Sequence, residues 1–454
     1  MSVIAVAGCA DATVPTWCHA GRVHDDHVFH RADGAPVAVR AEGSTITTAD
    51  GRTYLDGAGG AIACSIGHGR AEVVAALAEQ AATLDYVHAT QFETAPVAAF
   101  ARRLARLVPV DDARVFPVSG GSEANESALK LARSYHLARG DVDRHIVVAR
   151  AGAYHGNSRG ALDASDRSAL RAGYEPWLGR TVRVPLANPY RDARSGADHA
   201  AVLEATIVET GADRVAAFIA EPVAGATLGA VVPPDDYWAA ITEVCRRHGV
   251  LVIADEVMTG FGRTGRWFGV DHWGVRPDIV TSGKGASSGY WPLGLMVCSG
   301  QLYDTVTEAG TYLHGFTWSH HPVGAAVAGA VLDVIERERL VERSAVLGER
   351  VQSLLVEELG GHPNVGEVRG LGLLRAVELV ADRATKECFE RDARTAERVT
   401  AAAFDRGLTV YPCSSAVDGR TGDAVILGPP LSVTDDELDE MIARVVDAVH
   451  DVVG

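Results

Sequence analysis

Short apolar runs alternate with amphipathic stretches from about residue 70 to residue 329, and no other feature of the chain limits its fold so tightly. The runs at 146–149, 216–220, 250–254, 279–281 and 295–298 have strand length and strand composition. Helical patterns such as 122–138 and 237–248 lie between them. Strands separated by helices predict an α/β fold, a mostly parallel sheet with helices on both faces. In such a sheet ligands gather beyond the carboxyl ends of the strands, so residues that follow a predicted strand are the candidates for chemistry.

The two ends of the chain read differently. Residues 37–54 alternate polar and apolar side chains around turn signals at Glu42-Gly43 and Asp50-Gly51, which predicts a small antiparallel sheet. From Val331 a long helical pattern leads to a turn and strand at Val368-Arg369-Gly370-Leu371-Gly372-Leu373, and Thr434-Asp435-Asp436-Glu437 opens a final helix as a capping box. The expected division is therefore 1–69, 70–329 and 330–454, the middle segment forming a large domain and both ends combining into a smaller α+β domain.

Composition removes several function classes. Forty-two basic against 59 acidic side chains give a formal charge of -17, which makes nucleic acid and membrane surfaces poor partners. Cys9, Cys18, Cys64, Cys245, Cys298, Cys388 and Cys413 are scattered without a close pair, and no two of the 17 histidines are spaced as metal ligands. Reduced thiols and no metal site are expected. Residues 1–17 hold no Lys or Arg, the apolar run 215–232 is broken by Glu221 and Pro222, and the run 323–332 is too short to cross a bilayer. These features predict a cytoplasmic protein.

The chemistry concentrates at three predicted strand ends. Asp278-Ile279-Val280-Thr281-Ser282-Gly283-Lys284-Gly285 runs a strand into a glycine-flanked turn that presents one lysine. Taken alone, such a lysine is ordinarily exposed and inert. Upstream, Leu251-Val252-Ile253-Ala254-Asp255-Glu256-Val257 ends a strand in two acids whose side chains point to opposite faces. A carboxylate at that rim suits Asp255 to the pyridinium nitrogen of pyridoxal 5'-phosphate (PLP), keeping the ring able to accept electrons. Glu256 is expected to make structural hydrogen bonds. Ser119-Gly120-Gly121-Ser122-Glu123-Ala124-Asn125 reads as glycines followed by a serine N-cap, a helix start that suits a phosphate but equally an ordinary capped helix. In Ala153-Tyr154-His155-Gly156 the tyrosine can stack on a flat cofactor or simply pack.

With these motifs in place, the chain resembles the class III (ω-amino acid:pyruvate-like) aminotransferases of the fold-type-I PLP enzymes. The likeness spans about residues 36–446, and its specific part is motif order: Gly51-Arg52-Thr53-Tyr54-Leu55-Asp56-Gly57, Ile66-Gly67-His68-Gly69, Ser119 to Asn125, Tyr154-His155-Gly156, Glu221-Pro222-Val223, Asp255-Glu256-Val257, Ser282-Gly283-Lys284 and His314-Gly315-Phe316-Thr317. The resemblance implies that Lys284 forms the internal aldimine and shuttles the proton, with Asp255 and Tyr154 completing the catalytic set. Gly121 and Ser122 would hold the phosphate, Tyr154 would stack on the ring, Val257 would pack on its other face, and His155 and Glu221 would line the cofactor. It further implies a homodimer with shared active sites, in which Thr317 reaches the phosphate of the neighbouring subunit.

Departures from the family pattern concern substrate. Ala226 stands where the ornithine, acetylornithine and 4-aminobutyrate members carry a glutamate, so the segment looks more like the ω-amine:pyruvate members. In those members an arginine in a flexible loop near the C-terminal region binds the carboxylate, and Arg420 is the candidate here. Ile62, in the small wall Gly60-Ala61-Ile62, and Tyr86 are further substrate candidates, as are His88 and Phe92, with core packing the favoured reading of Phe92. The expected function is transfer of an amino group from a small amine or ω-amino acid to a keto acid or aldehyde acceptor. The same lysine and ring also serve decarboxylation, elimination or substitution, racemisation and carbon–carbon bond formation, depending on which bond the pocket holds perpendicular to the ring. A non-catalytic binding module on this fold is the alternative from another class. A nicotinamide enzyme is disfavoured, because no Gly-x-Gly-x-x-Gly joins a strand to a helix.

Overall fold

The computed structural model describes residues 27–32, 34–179 and 181–454; Cys9, Cys18 and the opening stretch 1–17 lie outside them. Near the start, β1 (Ala38–Glu42), β2 (Thr45–Thr48) and β3 (Thr53–Asp56) pair antiparallel around the two predicted turns. The large sheet follows: β4 (Arg114–Val118), β5 (Ile146–Arg150), β6 (Val182–Val184), β7 (Val215–Ala220), β8 (Leu251–Asp255), β9 (Ile279–Gly283) and β10 (Gly294–Cys298). Its spatial order is β4-β10-β9-β8-β7-β5-β6. Neighbours from β9 to β6 are parallel, whereas β10 is antiparallel to both β9 and β4. Thus β4 runs in the same direction as β9, and every strand except β10 ends at the same rim.

Burial of alternate residues on opposite faces explains the near-continuous apolar runs. Phe218 and Ala220 of β7, with Val252 and Ala254 of β8, join a core with the helix Tyr237–His248 through Trp238 and Ile241. Their neighbours Ala217, Ile219, Leu251 and Ile253 face the other way, onto Ala128, Leu131 and Ala132 of the helix Gly121–Ala138. A strand covered on both sides has no polar face to show, so alternation vanishes from its sequence.

Both edges of this sheet escaped the sequence reading. Strand β4 contains Pro117, which argues against a strand in the middle of a sheet but is tolerated at an edge, where one side of the ladder needs no donor. Strand β6 is three residues long.

The remaining strands are β11 (Val365–Leu371), β12 (Leu374–Leu379), β13 (Leu408–Thr409), β14 (Tyr411–Cys413) and β15 (Asp423–Leu427). Four of them form an antiparallel sheet in the order β11-β12-β15-β14, while β13 crosses to pair parallel with β3. The helix Pro322–Arg337 runs across the expected boundary between residues 329 and 330, and the chain turns at Arg339 (φ 50°) before the helix Leu340–Leu359. The last helix, Asp435–Val453, opens on the expected capping box: the Glu437 N–H donates to Thr434 Oγ1 at 3.2 Å and the Thr434 N–H to Glu437 Oε2 at 2.9 Å.

Candidate active site

Strand direction delivers the candidate residues to one rim. Asp255 is the last residue of β8, Lys284 follows β9, Glu221 follows β7, Tyr154 stands four residues beyond β5, and Ser119 follows β4. Asp255 lies beside Thr281 in the β8–β9 ladder.

The Asp255 carboxylate is buried and held by three donors. Oδ2 accepts from Asn125 Nδ2 at 2.8 Å and from His155 Nδ1 at 2.7 Å, and Oδ1 accepts from the Val257 N–H at 3.1 Å. Asn125 in turn donates to the His155 carbonyl at 2.7 Å and accepts from Thr281 Oγ1 at 2.7 Å. Asn125 therefore ties the helix Gly121–Ala138 to β8, β9 and the Tyr154 loop at once. The sequence reading passed over its role, although its place one helical turn beyond Gly121 was the available signal. The other ring nitrogen of His155, Nε2, is buried without a hydrogen-bond partner.

Lys284 sits at φ 41°, a left-handed conformation unusual for a residue with a side chain. Burial lowers its amine to a pKa of about 8; the buried guanidinium of Arg263 pushes the same way, while Asp255 and Glu221 oppose it. Arg263 was not singled out from the sequence. Its guanidinium donates to the carbonyls of Leu373 at 3.0 Å and Pro429 at 2.6 Å, far along the chain. Burial also raises Glu221, against the pull of His155 and Arg150. Glu221 accepts from the N–H groups of Gly225 at 3.3 Å and Tyr154 at 3.5 Å.

Glue of another kind comes from Glu256, which points away as alternation requires. It accepts from Thr259 Oγ1, from the Gly269 N–H at 2.7 Å and from the Val270 N–H at 2.8 Å, and burial raises its carboxyl to about 7.

The helix start differs in detail from expectation. Gly120, in extended conformation (φ -176°, ψ 172°), is the N-cap, and Ser122 lies inside the first turn. No side chain caps the helix: Glu123 accepts the Ser119 N–H, just before the N-cap, at 2.8 Å, and the Ser122 hydroxyl accepts from the Asn157 N–H at 3.2 Å. Two glycines make this corner possible. A Cβ on Gly121 would stand 2.9 Å from Val257 Cγ1, and one on Gly156 (φ 134°) would stand 2.2 Å from Ser122 Oγ.

Other candidates lie elsewhere in this chain. Thr317 is exposed, and its carbonyl accepts from Tyr86 Oη at 2.9 Å. Tyr86 packs edge-on to Trp318 (5.3 Å), so Tyr86, Thr317 and Trp318 form one cluster. His88 is exposed with Nδ1 2.6 Å from Thr90 Oγ1. Phe92, expected in the core, is 60% exposed because no other described residue covers the turn carrying it, between the helices Ala71–Thr83 and Ala95–Leu104. Ile62 is buried with Tyr154 packed against the same cluster. Arg420 is exposed on the loop before β15, its N–H donating to Asp418 Oδ1 at 2.8 Å. A cavity of about 720 Å³ lined by Phe116, Leu131, Met296, Tyr303 and His314 is separate from Lys284 and holds none of the candidates.

Against known proteins, the family model described as aminotransferase class-III matches residues 29–449. This chain belongs to the class III aminotransferases. It is 36% identical to a putrescine–pyruvate aminotransferase of Pseudomonas aeruginosa, over 90% of this chain and 89% of that one. A diaminobutyrate–2-oxoglutarate transaminase of Halomonas elongata is 34% identical, over 92% and 90%. The crystal structure of an (S)-enantioselective ω-transaminase from Thermomicrobium roseum superposes with a TM-score of 0.89 at 39% identity, covering 95% of this chain and 97% of that one. The chain is thus a PLP-dependent aminotransferase of the fold-type-I architecture, as its motifs implied. Its rim fits that cofactor: an amine of lowered pKa, a buried carboxylate fixed by three donors, and a glycine-built corner at a helix start that a Cβ would fill. No helix among the described residues is long and apolar enough to cross a membrane.

Proposed function

We propose that this aminotransferase takes the amino group of a primary amine or ω-amino acid and delivers it to a keto acid or aldehyde, with Lys284 carrying the cofactor and moving the proton at the substrate carbon. When bound, PLP supplies the electron sink for the pair released at that carbon. The observation that carries the reading is the pairing of a lysine of lowered pKa with the triply held carboxylate of Asp255 across adjacent strand ends.

Asp255 faces the ring nitrogen, and Asn125 and His155 keep its oxygens from turning away. Gly121 and Ser122 hold the phosphate by N–H and hydroxyl at the helix start. Tyr154 covers one face of the ring and Val257 the other; Glu221 steadies the Tyr154 loop. Pyruvate and 2-oxoglutarate are the acceptors to try, since relatives named for each cover most of the chain.

Two statements about architecture belong to the same proposal. The small domain comprises both chain ends, a division supported by the β3–β13 pairing, with the changeover at the turn beside Arg339. The active unit is a homodimer in which Thr317 of each chain completes the other site. Support comes from the exposed segment around it, where Leu313 is 88% and Trp318 56% exposed.

The test is a donor screen with both acceptors, followed by the cofactor spectrum. Conversion to the pyridoxamine form is the expected result; its absence with every donor overturns amino transfer in favour of another reaction. Lys284→Ala is expected to retain PLP only non-covalently and to lose on the order of 10³-fold or more in kcat.

A further inference from the structure

We infer that Arg369, on β11, is a positioning residue that sets the width of the slot between Tyr154 and Val257. The inference rests on the reading in which those two side chains cover opposite faces of the ring, and it names what holds them in place.

Arg369 is buried and reaches out of its own sheet. Its Nε donates to the Gly229 carbonyl at 2.7 Å and its Nη2 to the Leu228 carbonyl at 2.7 Å. Both carbonyls belong to a turn that follows β7 and closes on itself. The N–H groups of Leu228 and Gly229 donate to the Gly225 carbonyl at 3.2 and 2.8 Å, and Ala224 pairs with Val231. Without the guanidinium these two buried carbonyls lose their donors, so the turn is held where Arg369 puts it.

The turn touches both walls of the slot. A Cβ on Gly152, two residues before Tyr154, would stand 2.7 Å from Leu228 Cδ2, so the Leu228 side chain lies directly on the backbone leading to Tyr154. A Cβ on Gly225 would stand 2.2 Å from Sδ of Met258, the residue after Val257. Glu221 adds a polar link, accepting the Gly225 N–H at 3.3 Å and the Tyr154 N–H at 3.5 Å. In an interior packed this closely, displacing the turn shifts Tyr154 and Val257 relative to each other.

The charge of Arg369 is met where it stands. Glu367 and Glu378 face each other across the β11–β12 ladder, where two carboxylates alone would repel. Nη1 of Arg369 donates to both, to Glu367 Oε2 at 3.1 Å and to Glu378 Oε2. Glu378 is fully buried and also accepts from Arg191 Nε at 2.8 Å. The pairing anchors one arm of the guanidinium and leaves Nε and Nη2 for the turn. A lysine can meet the carboxylates but has no rigid fork to hold two carbonyls as well. Arg375, on neighbouring β12, is buried too, but its hydrogen bonds among the described residues go to Gly370, Gly372, Gln352 and Glu349, none of them in the turn.

The test uses the holoenzyme with Arg369→Lys, Arg369→Met and, as a control on the same sheet, Arg375→Met. The readouts are the circular-dichroism band of the bound cofactor, the Kd for PLP, kcat and KM, and the melting temperature of the apoprotein. Arg369→Lys is expected to melt close to the parent while PLP binds about 5-fold more weakly, the dichroic band falls, and kcat drops more than KM changes. Arg369→Met should weaken PLP about 10-fold, and Arg375→Met about 2-fold or less at a comparable loss of melting temperature. Should Arg369→Met fail to fold, Gly229→Ala moves the turn with Arg369 intact, because its Cβ would stand 2.9 Å from Ala424 Cβ, and the same weakening is expected. A parental band and Kd in Arg369→Lys, or equal weakening in Arg375→Met, would mean a purely structural arginine and overturn the inference. Failure of the ring-cover reading looks different: Tyr154→Ala, with Arg369 intact, would then leave both the band and the Kd unchanged.

Discussion

An amine that must attack an aldehyde near neutral pH has to lose its proton early, and burial does this at Lys284. With a pKa of about 8 in place of the usual lysine value of 10.5, its neutral fraction rises with pH through 8 and is nearly complete above 9. The rate of PLP uptake by the apoprotein, followed by absorbance, should therefore climb up to about pH 8–9 and then level off. A rise continuing past pH 10 would mean an unshifted lysine. The sequence singled out Lys284 and Asp255 because one follows and the other ends a strand with a recognisable grammar. It concealed Arg263 and the Asn125–His155 clamp because their partners lie far away along the chain: Asn125 meets Asp255 130 residues on, and Arg263 meets Leu373 110 residues on. Local pattern carries no information about such distances.

Among the elements, the interior strands were legible and the edges were not. Covered on both faces, β7 and β8 become apolar runs, whereas β4 keeps Pro117 and β6 shrinks to three residues because an edge demands less. The corner between the helix Gly121–Ala138 and the Tyr154 loop is where elements approach most closely. Gly156→Ala places a methyl 2.2 Å from Ser122 Oγ at a φ of 134° that alanine resists, so the loop must retreat. Its expected effect is to weaken PLP retention on the order of tenfold, measured by equilibrium dialysis. Retention equal to that of the parent would show that Ser122 and the loop contribute nothing to phosphate holding. The misread N-cap belongs here too. Serine before a helical run is the ordinary capping signal, yet the N-cap is Gly120, and Ser122, inside the first turn, accepts from the Asn157 N–H instead.

At the scale of the molecule, Leu313, Trp318 and Phe92 leave large apolar side chains in water, which a single chain rarely sustains without a partner. Sedimentation should find a dimer at micromolar concentration, and dilution into monomer should release PLP together with activity. A monomer that keeps both would overturn the shared site. The sequence suggested that both chain ends build one small unit, but gave no sign of the stitch itself, since β13 is only two residues long.

That stitch has a bearing on manufacture. Thr409 Oγ1 meets Asp56 Oδ1 across 353 residues at 2.9 Å, so a ribosome lays down about nine-tenths of the protein before the first ladder receives its last rung. Until then the free margin of β3 offers unpaired amides to whatever passes, and a product released early keeps that open seam for good.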